Sequence, residues 1–280
     1  QHIFAANTME SLLVFTNRGK VYQVKVHELP DAGRTAKGLP IVNIISMLPD
    51  ETVTTFLNVR DFSDAKYLFF TTRMGTVKRV SLDQFKSVRS NGMIAINLDE
   101  GDELIWVRMS SGGDDVVLTT RKGQAIRFSE EDVRPMGRPA AGVRGIRLEP
   151  GDEVIASEVH TEGSDLLVVS ANGFGKRTAL KNFPLQRRGG KGGTALKRTD
   201  KTGDLVGAQM ARADQIVTLI SSSGQVIRML ASEISLIGRA TQGVTLMKPK
   251  PQEVVVSMTV DDASSDRAED VASLDGKVDR

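Results

Sequence analysis

The chain has 280 residues, 40% of them hydrophobic, and a formal net charge of +2, so it can form one large all-β domain or two smaller ones. It has no cysteine and only three histidines, each standing singly, which excludes disulfides and thiolate metal sites and leaves no metal-ligand spacing. No apolar run approaches the roughly 20 residues of a membrane span. The start, QHIFAANTME, does not resemble a signal peptide and is typical of an interior segment, so we expect a fragment of a cytoplasmic protein.

The charge is unevenly distributed along the chain. Residues 261–280 hold seven acidic and three basic residues, whereas the other 260 residues carry 34 Lys and Arg against 28 Asp and Glu. A basic body followed by an acidic segment with few aromatics points to a polyanionic partner. We expect residues 1–260 to form the folded domain and 261–280 a disordered acidic tail.

Five segments repeat one pattern, in which two apolar runs flank a glycine turn. In chain order they read LLVFTNRGKVYQVKV, YLFFTTRMGTVKRV, DVVLTTRKGQAIRF, DLLVVSANGFGKRT and QIVTLISSSGQVIRM. The turn glycines are Gly19, Gly75, Gly123, Gly173 and Gly224. A second glycine follows 19 residues later in four copies and 17 residues later in the second: Gly38, Gly92, Gly142, Gly192 and Gly243. The repeat of about 50 residues is on the scale of a propeller blade.

Each copy predicts four short strands. Runs rich in Val, Ile, Leu, Phe and Thr around a glycine turn predict a hairpin. Further β-rich runs follow the second glycine: LPIVNII, MIAINL, VRGIRL and VTLMK. A last run follows an acidic turn, as in GDELIWVRM and GDEVIASEV. Four-stranded units in series predict an all-β, propeller-like fold.

Basic residues recur at fixed places in the repeat. Four residues after the turn glycine stand Arg79, Arg127, Arg177 and Arg228, and Lys78 and Lys176 come one position earlier. Around the second glycine stand Arg34, Lys37, Arg89, Arg138, Arg188, Lys191 and Arg239. Equivalent positions of consecutive blades would line the outer edge of a propeller, where cations could bind a polyphosphate. Lys and Arg on edge strands can also serve only to prevent edge pairing.

The densest basic stretch is QRRGGKG, comprising Gln186, Arg187, Arg188, Gly189, Gly190, Lys191 and Gly192. It is not a nucleotide phosphate loop, because Lys191 is followed by glycine and Leu185 occupies the place of the first glycine. Only 5% of residues are aromatic, so few rings are available to stack on the bases of a single strand. We therefore expect these cations to contact the phosphates of duplex DNA without reading its sequence.

QRRGGKG matches the gyrase A box, and the surrounding repeats resemble the C-terminal domain of the DNA gyrase A subunit over essentially the whole chain. The resemblance implies a β-pinwheel of about six blades with exchanged strands, which binds duplex DNA and bends it in support of negative supercoiling. It further implies partners in the rest of the gyrase A subunit, in the gyrase B subunit, and in duplex DNA. ATP and Mg²⁺ would be used elsewhere in the enzyme, with neither catalysis nor a cofactor in this domain.

One feature departs from the family pattern. The box lies in the fourth copy, whereas the family usually has it in the first blade, and residues 1–7 resemble the end of an earlier repeat. Two alternatives stay open: the related C-terminal domain of a topoisomerase IV subunit, which typically lacks an intact box, and a propeller-like scaffold that binds proteins.

Overall fold

The computed structural model describes residues 6–31, 33, 36–63, 67–89 and 91–262. Within these ranges the chain is all-β and its helices are short 3-10 turns. The strands are β1 (Ser11–Thr16), β2 (Lys20–Lys25), β3 (Val53–Val59), β4 (Tyr67–Thr72), β5 (Thr76–Ser81), β6 (Met93–Ile94), β7 (Leu104–Ser110), β8 (Asp115–Thr120), β9 (Gln124–Ser129), β10 (Val143–Arg144), β11 (Val154–Val159), β12 (Asp165–Ser170), β13 (Phe174–Ala179), β14 (Gly193–Thr194), β15 (Leu205–Ala211), β16 (Ile216–Ser221), β17 (Val226–Leu230), β18 (Val244–Thr245) and β19 (Val255–Asp261). The 3-10 turns are Val26–Glu28, Ile41–Asn43, Leu82–Phe85, Glu130–Asp132, Leu180–Asn182 and Ala231–Glu233.

The five predicted hairpins are all present, each centred on its repeated glycine. They pair β1 with β2, β4 with β5, β8 with β9, β12 with β13, and β16 with β17. All ten repeated glycines adopt positive φ, which explains why the turns need glycine. A third long strand joins each hairpin on the side of its first strand, as β3 joins β1.

The fourth strand of a sheet comes from the next unit along the chain. Strands β6, β10, β14 and β18, here called the exchange strands, pair with β2, β5, β9 and β13 of the preceding unit. The strand exchange implied by the resemblance is therefore present. The fifth sheet has three strands, in the order β17-β16-β19.

The core lies between consecutive sheets. Phe15 of the first unit packs edge-on against Phe70 of the second, with ring centroids 5.6 Å apart. Both faces of the central strands are covered, so β1 and β4 are buried along nearly their whole length and read as continuous apolar runs. The third strands β3, β7, β11, β15 and β19 contact one another in series. The exchange strands, at the opposite edge of each sheet, therefore form the outer edge.

The structure differs from the sequence-based expectations in three places. The described ranges contain five sheets rather than about six. LPIVNII forms the 3-10 turn Ile41–Asn43 instead of a strand, because the described residues include no earlier unit whose second strand it could join. Asp261 ends β19, so the last sheet extends one residue into the expected tail, and the next residue, Asp262, accepts hydrogen bonds from Arg212 and Gln215. Residues 263–280 and 1–5 lie outside the described ranges.

Candidate nucleic-acid interface on the outer loops

Each exchange strand is preceded by a loop, here called an outer loop: the described residues 86–89 and 91–92, and residues 134–142, 185–192 and 236–243. The loop of one unit lies on the unit before it. In the fourth copy, Gln186 N donates to Arg127 O at 2.9 Å and Gly189 N donates to Gly145 O at 2.6 Å. Gly192, with φ +71°, approaches β9 so closely that an added Cβ would lie 2.3 Å from Ala125 O. Gly192 is therefore explained by backbone packing between units, and Gly189 by its positive φ of +79°.

One backbone hydrogen bond recurs along the outer edge. Asn97, Arg147 and Lys197 follow their exchange strands at the same spacing and donate their N–H groups to Ala140 O, Gly190 O and Thr241 O of the next outer loop, at 3.4, 2.8 and 3.0 Å. Consecutive loops thus overlap in a fixed register. Side chains at equivalent positions of consecutive loops therefore recur at a regular interval along the outer edge.

The three cations of the box have different environments. Arg187 and Lys191 are exposed, and within the described ranges neither side chain has a hydrogen-bond or ion-pair partner. The half-buried Arg188 donates from Nε to Asp132 O at 2.9 Å and from Nη1 to Arg144 O at 3.1 Å. Arg187 and Lys191 are therefore available to an anion, whereas Arg188 ties the loop to the preceding unit.

Lys78 and Lys176, predicted to lie on the outer edge, are buried beneath the next outer loop. Both have 0% relative exposure. Lys78 Nζ donates to Ala95 O at 2.8 Å, to Ala140 O at 3.0 Å and to Arg138 O. Lys176 Nζ donates to Gly238 O at 2.7 Å, to Thr241 Oγ1 at 3.0 Å and to Arg239 O. Burial, with repulsion from Arg138 and Arg239, lowers the pKa of Lys78 to about 7 and that of Lys176 to about 8.

Of the arginines next in sequence, Arg127 and Arg177 form ion pairs within their own hairpins and donate hydrogen bonds to the next unit. Arg127 pairs with Asp115 at 2.6 Å, and Arg177 pairs with Asp165 at 2.9 Å. Arg127 also donates to Leu180 O and Phe183 O, and Arg177 to Ile234 O. Arg79 is buried, lies over the Tyr67 ring and donates to Gly112 O.

These five bases, Lys78, Arg79, Arg127, Lys176 and Arg177, therefore do not form an exposed row, and the prediction that they line the outer edge is wrong. Their strands are covered by neighbouring sheets on both faces, so the side chains meet carbonyls, carboxylates and rings instead of solvent.

The remaining predicted bases are divided between exposed and half-buried positions. Lys37, Arg89 and Arg228 are exposed. Arg138 is half-buried and lies against the Met93 sulfur, and Arg239 lies over the Phe183 ring, 5.6 Å from its centroid. Arg34 lies outside the described residues. The described bases four residues before the second glycine, Arg138, Arg188 and Arg239, thus pack their loops on the preceding unit.

A row of cations that the sequence patterns did not single out lies on the outer edge. Arg147, Lys197 and Lys248 each stand five residues after the second glycine, and all three side chains are exposed. The backbone N–H groups of Arg147 and Lys197 are fixed by the recurring hydrogen bond described above. The sequence feature that could have identified this row is its constant spacing from the second glycine. Asn43 and Asn97 occupy the same place in the first two copies.

The outer loops and the segments that follow the exchange strands carry exposed positive charges. Within the described residues, no group of three or more His, Cys, Asp or Glu could hold a metal ion. In the same part of the chain, none of the helices has the length and apolarity needed to cross a membrane. Arg187, Lys191, Arg147, Lys197 and Lys248 are exposed, and the backbone N–H groups of Arg147 and Lys197 are held by hydrogen bonds.

The DNA gyrase C-terminal domain, beta-propeller family matches the chain five times, over residues 10–60, 66–111, 114–160, 164–212 and 215–260. The DNA gyrase A subunit of Lawsonia intracellularis is 44% identical over 274 residues, which cover 96% of this chain and 33% of the relative. The Escherichia coli K12 protein of the same name is 42% identical over 275 residues, covering 98% and 31%. The chain thus spans about a third of these relatives' length.

Solved structures show the same fold. The C-terminal domain of DNA topoisomerase IV superposes with a TM-score of 0.86 at 27% identity, covering 98% of this chain and 86% of that one. The DNA gyrase A C-terminal domain superposes with a TM-score of 0.77 at 28% identity, covering 91% and 83%. The expected β-pinwheel is confirmed, with five sheets described. By its five matched repeats, the chain belongs to the family of DNA gyrase C-terminal domains.

Proposed function

We propose that the chain binds duplex DNA along its outer loops and bends it, without reading its sequence. One observation carries this proposal: exposed cations recur at one place in consecutive units, on loops that overlap through a repeated hydrogen bond. Arg147 and Lys197 occupy that place, and Arg187 and Lys191 add charge on the loop between them. Contacts to phosphates position a protein on DNA but carry no sequence information.

The surface favours a duplex over a single strand. In the described part of the chain, none of the exposed large apolar side chains is aromatic. Proteins that bind single strands stack bases on exposed aromatic rings. Cations on rigid loops, with little for a base to stack on, suit the outside of a double helix better.

The larger context is proposed from the relatives, which are named as the A subunit of DNA gyrase. We infer that the chain supports negative supercoiling by DNA gyrase in the bacterial cytoplasm. It would be joined to the rest of the gyrase A subunit, which in turn assembles with the gyrase B subunit into a heterotetramer. In this proposal the chain supplies binding and bending and has neither a catalytic group nor a cofactor of its own, while ATP and Mg²⁺ act elsewhere in the enzyme.

A role in topoisomerase IV is the second candidate, because the TM-score with that enzyme's C-terminal domain is 0.86. The two candidates share this fold and differ in the box. QRRGGKG favours the gyrase assignment, as do the gyrase relatives at 38–44% identity.

A salt series tests the DNA-binding proposal. Fluorescence anisotropy with a labelled random duplex measures affinity for the unmodified chain, for R187A/K191A, and for K25A/R60A. The control removes the same charge from exposed positions that end β2 and follow β3. We expect R187A/K191A to lower the affinity and to flatten the slope of log K against log salt by about 0.9 for each phosphate that is no longer bound. Absence of duplex binding by the unmodified chain at low salt would refute the proposal.

A further inference from the structure

An exposed leucine begins two outer loops at the same place. Leu185 is 57% exposed and Leu236 is 53% exposed. The backbone of Leu185 forms a parallel β-bridge with Arg127, and that of Leu236 forms the same bridge with Arg177. Pro135 has this position in the third copy, bridged to Arg79 and also exposed. Three consecutive units thus present an apolar residue to solvent in one register.

The backbone at each of these apolar residues is fixed by a hydrogen bond. The residue that follows it donates its N–H to the bridged arginine: Met136 to Arg79 O at 2.8 Å, Gln186 to Arg127 O at 2.9 Å, and Ile237 to Arg177 O at 3.0 Å. These side chains therefore stand on fixed backbone instead of on a flexible loop tip. A single exposed leucine is ordinary on a protein surface, but its recurrence in register on an outer edge has no explanation in packing.

An exposed cation lies two residues after the leucine of the fourth copy. Leu185 and Arg187 are both exposed, and Gln186 between them is half-buried, as alternation along extended backbone requires. The leucine therefore projects on the same side as an exposed arginine. Isolated apolar side chains, one of them beside an exposed cation, differ from a protein-docking face, which is a contiguous apolar patch.

We propose that Leu185 and Leu236, with Pro135 at the equivalent place, enter the minor groove of the bound duplex and partly unstack a base step there. This inference rests on the proposed function and assigns the bending to particular side chains. Proteins that bend DNA from the minor groove insert Leu, Pro and similar apolar residues between base steps, which kinks the duplex. In the fourth copy the exposed Arg187 and Lys191 lie on the same loop as Leu185 and would hold phosphates beside the groove that the leucine enters.

Base unstacking can be read directly with 2-aminopurine, whose fluorescence increases when it leaves the stack. The probe is a duplex with 2-aminopurine in TpA steps repeated about every 10 bp, since such steps kink easily and the minor groove of a wrapped duplex faces the protein at that interval. The proteins are the full chain, L185S/L236S, L185M/L236M, and M9S as the control. Met9 is exposed and lies before β1, at the end of that strand away from its hairpin turn.

We expect saturating unmodified chain to raise the fluorescence, and M9S and L185M/L236M to do the same. L185S/L236S, added until the duplex is saturated through the remaining phosphate contacts, should show no fluorescence increase. Binding by the unmodified chain without any increase would overturn the inference and leave the proposed function standing, as would an equal increase with L185S/L236S. Failure of the unmodified chain to bind would refute the proposed function itself.

Discussion

Lys176 Nζ donates a hydrogen bond of 2.7 Å to Gly238 O, from the fourth sheet to the outer loop of the fifth unit. Lys78 makes the equivalent contacts two units earlier, to the loop that contains Arg138 and Ala140. A buried ammonium with three acceptors matches its three N–H donors. These two lysines thus hold two of the outer loops that lack the complete box sequence, residues 134–142 and 236–243.

Replacing Lys176 by Met should therefore destabilise the fold. The carbonyl oxygens of Gly238 and Arg239 would be left without this donor, at a cost of about 1–3 kcal/mol in the free energy of unfolding. Lys181→Met is the matched control, because Lys181 is exposed and its substitution should change stability by less than about 0.5 kcal/mol. Urea unfolding measures both, and equal small effects would mean that Lys176 does not hold the loop.

The same lysines should make stability depend on pH. Burial lowers the folded-state pKa of Lys78 to about 7 and that of Lys176 to about 8, whereas an unfolded lysine titrates near about 10.4. Between the folded and unfolded pKa values the unfolded state binds more protons than the folded state. The free energy of unfolding therefore rises as pH rises through this range.

The measurement compares the unmodified chain with K78M/K176M by urea unfolding between about pH 6 and 9, below the range where tyrosine titrates. The free energy of unfolding of the unmodified chain should rise with pH relative to that of the variant above about pH 7. Parallel curves would show that the two lysines keep ordinary pKa values in the folded protein.

Replacing each of two turn glycines by alanine and comparing the melting temperatures should reveal the contact between units. Gly123 has φ +88°, and a Cβ there would lie 2.5 Å from Leu196 O of the next unit; Gly224 has φ +83° and nothing within 4 Å. Both Ala variants carry the strain of a left-handed residue, about 1–3 kcal/mol. Gly123→Ala should lower the melting temperature clearly further than Gly224→Ala. Equal decreases would contradict the close approach of the fourth unit to the turn between β8 and β9.

The row formed by Arg147, Lys197 and Lys248 should contribute to DNA affinity alone. R147A/K197A/K248A leaves the backbone hydrogen bonds in place, so thermal stability should not change. The salt slope for duplex binding should fall by about 0.9 for each phosphate that the variant no longer binds. K25A/R60A/K181A removes three exposed charges that lie at or just after the ends of β2, β3 and β13 and should change the slope less. An equal change in both triple variants would mean that only overall charge matters.

Much of the fold follows from local sequence signals. Glycine turns between apolar runs predicted all five hairpins, because the turn needs positive φ and the runs fill buried strands. Strand exchange could not be predicted from residue patterns, since a strand such as Met93–Ile94 has two residues and no periodicity; only the resemblance implied it. The first copy repeats the sequence of an exchange strand without forming one, because pairing depends on a neighbouring unit.

The site was only partly predictable. The basic pattern identified Arg187 and Lys191, whose exposure the structure shows, and also Lys78 and Arg79, which it buries. Adjacent residues of a strand point to opposite faces, so sequence alone suggests that one of two neighbouring bases is solvated. In β5 both faces are covered by neighbouring sheets, and neither base is exposed.

Bending of the duplex is the central claim, and its most direct measurement is energy transfer between dyes on the two ends of a duplex of about 30 bp. Smooth bending of such a length by 40–90° costs about 1–6 kcal/mol, so it requires contacts on several units at once. At saturation with the unmodified chain we expect the end-to-end distance to shorten, and to shorten less with R147A/K197A/K248A at equal occupancy. An end-to-end distance equal to that of free DNA, with the unmodified chain fully bound, would contradict the account.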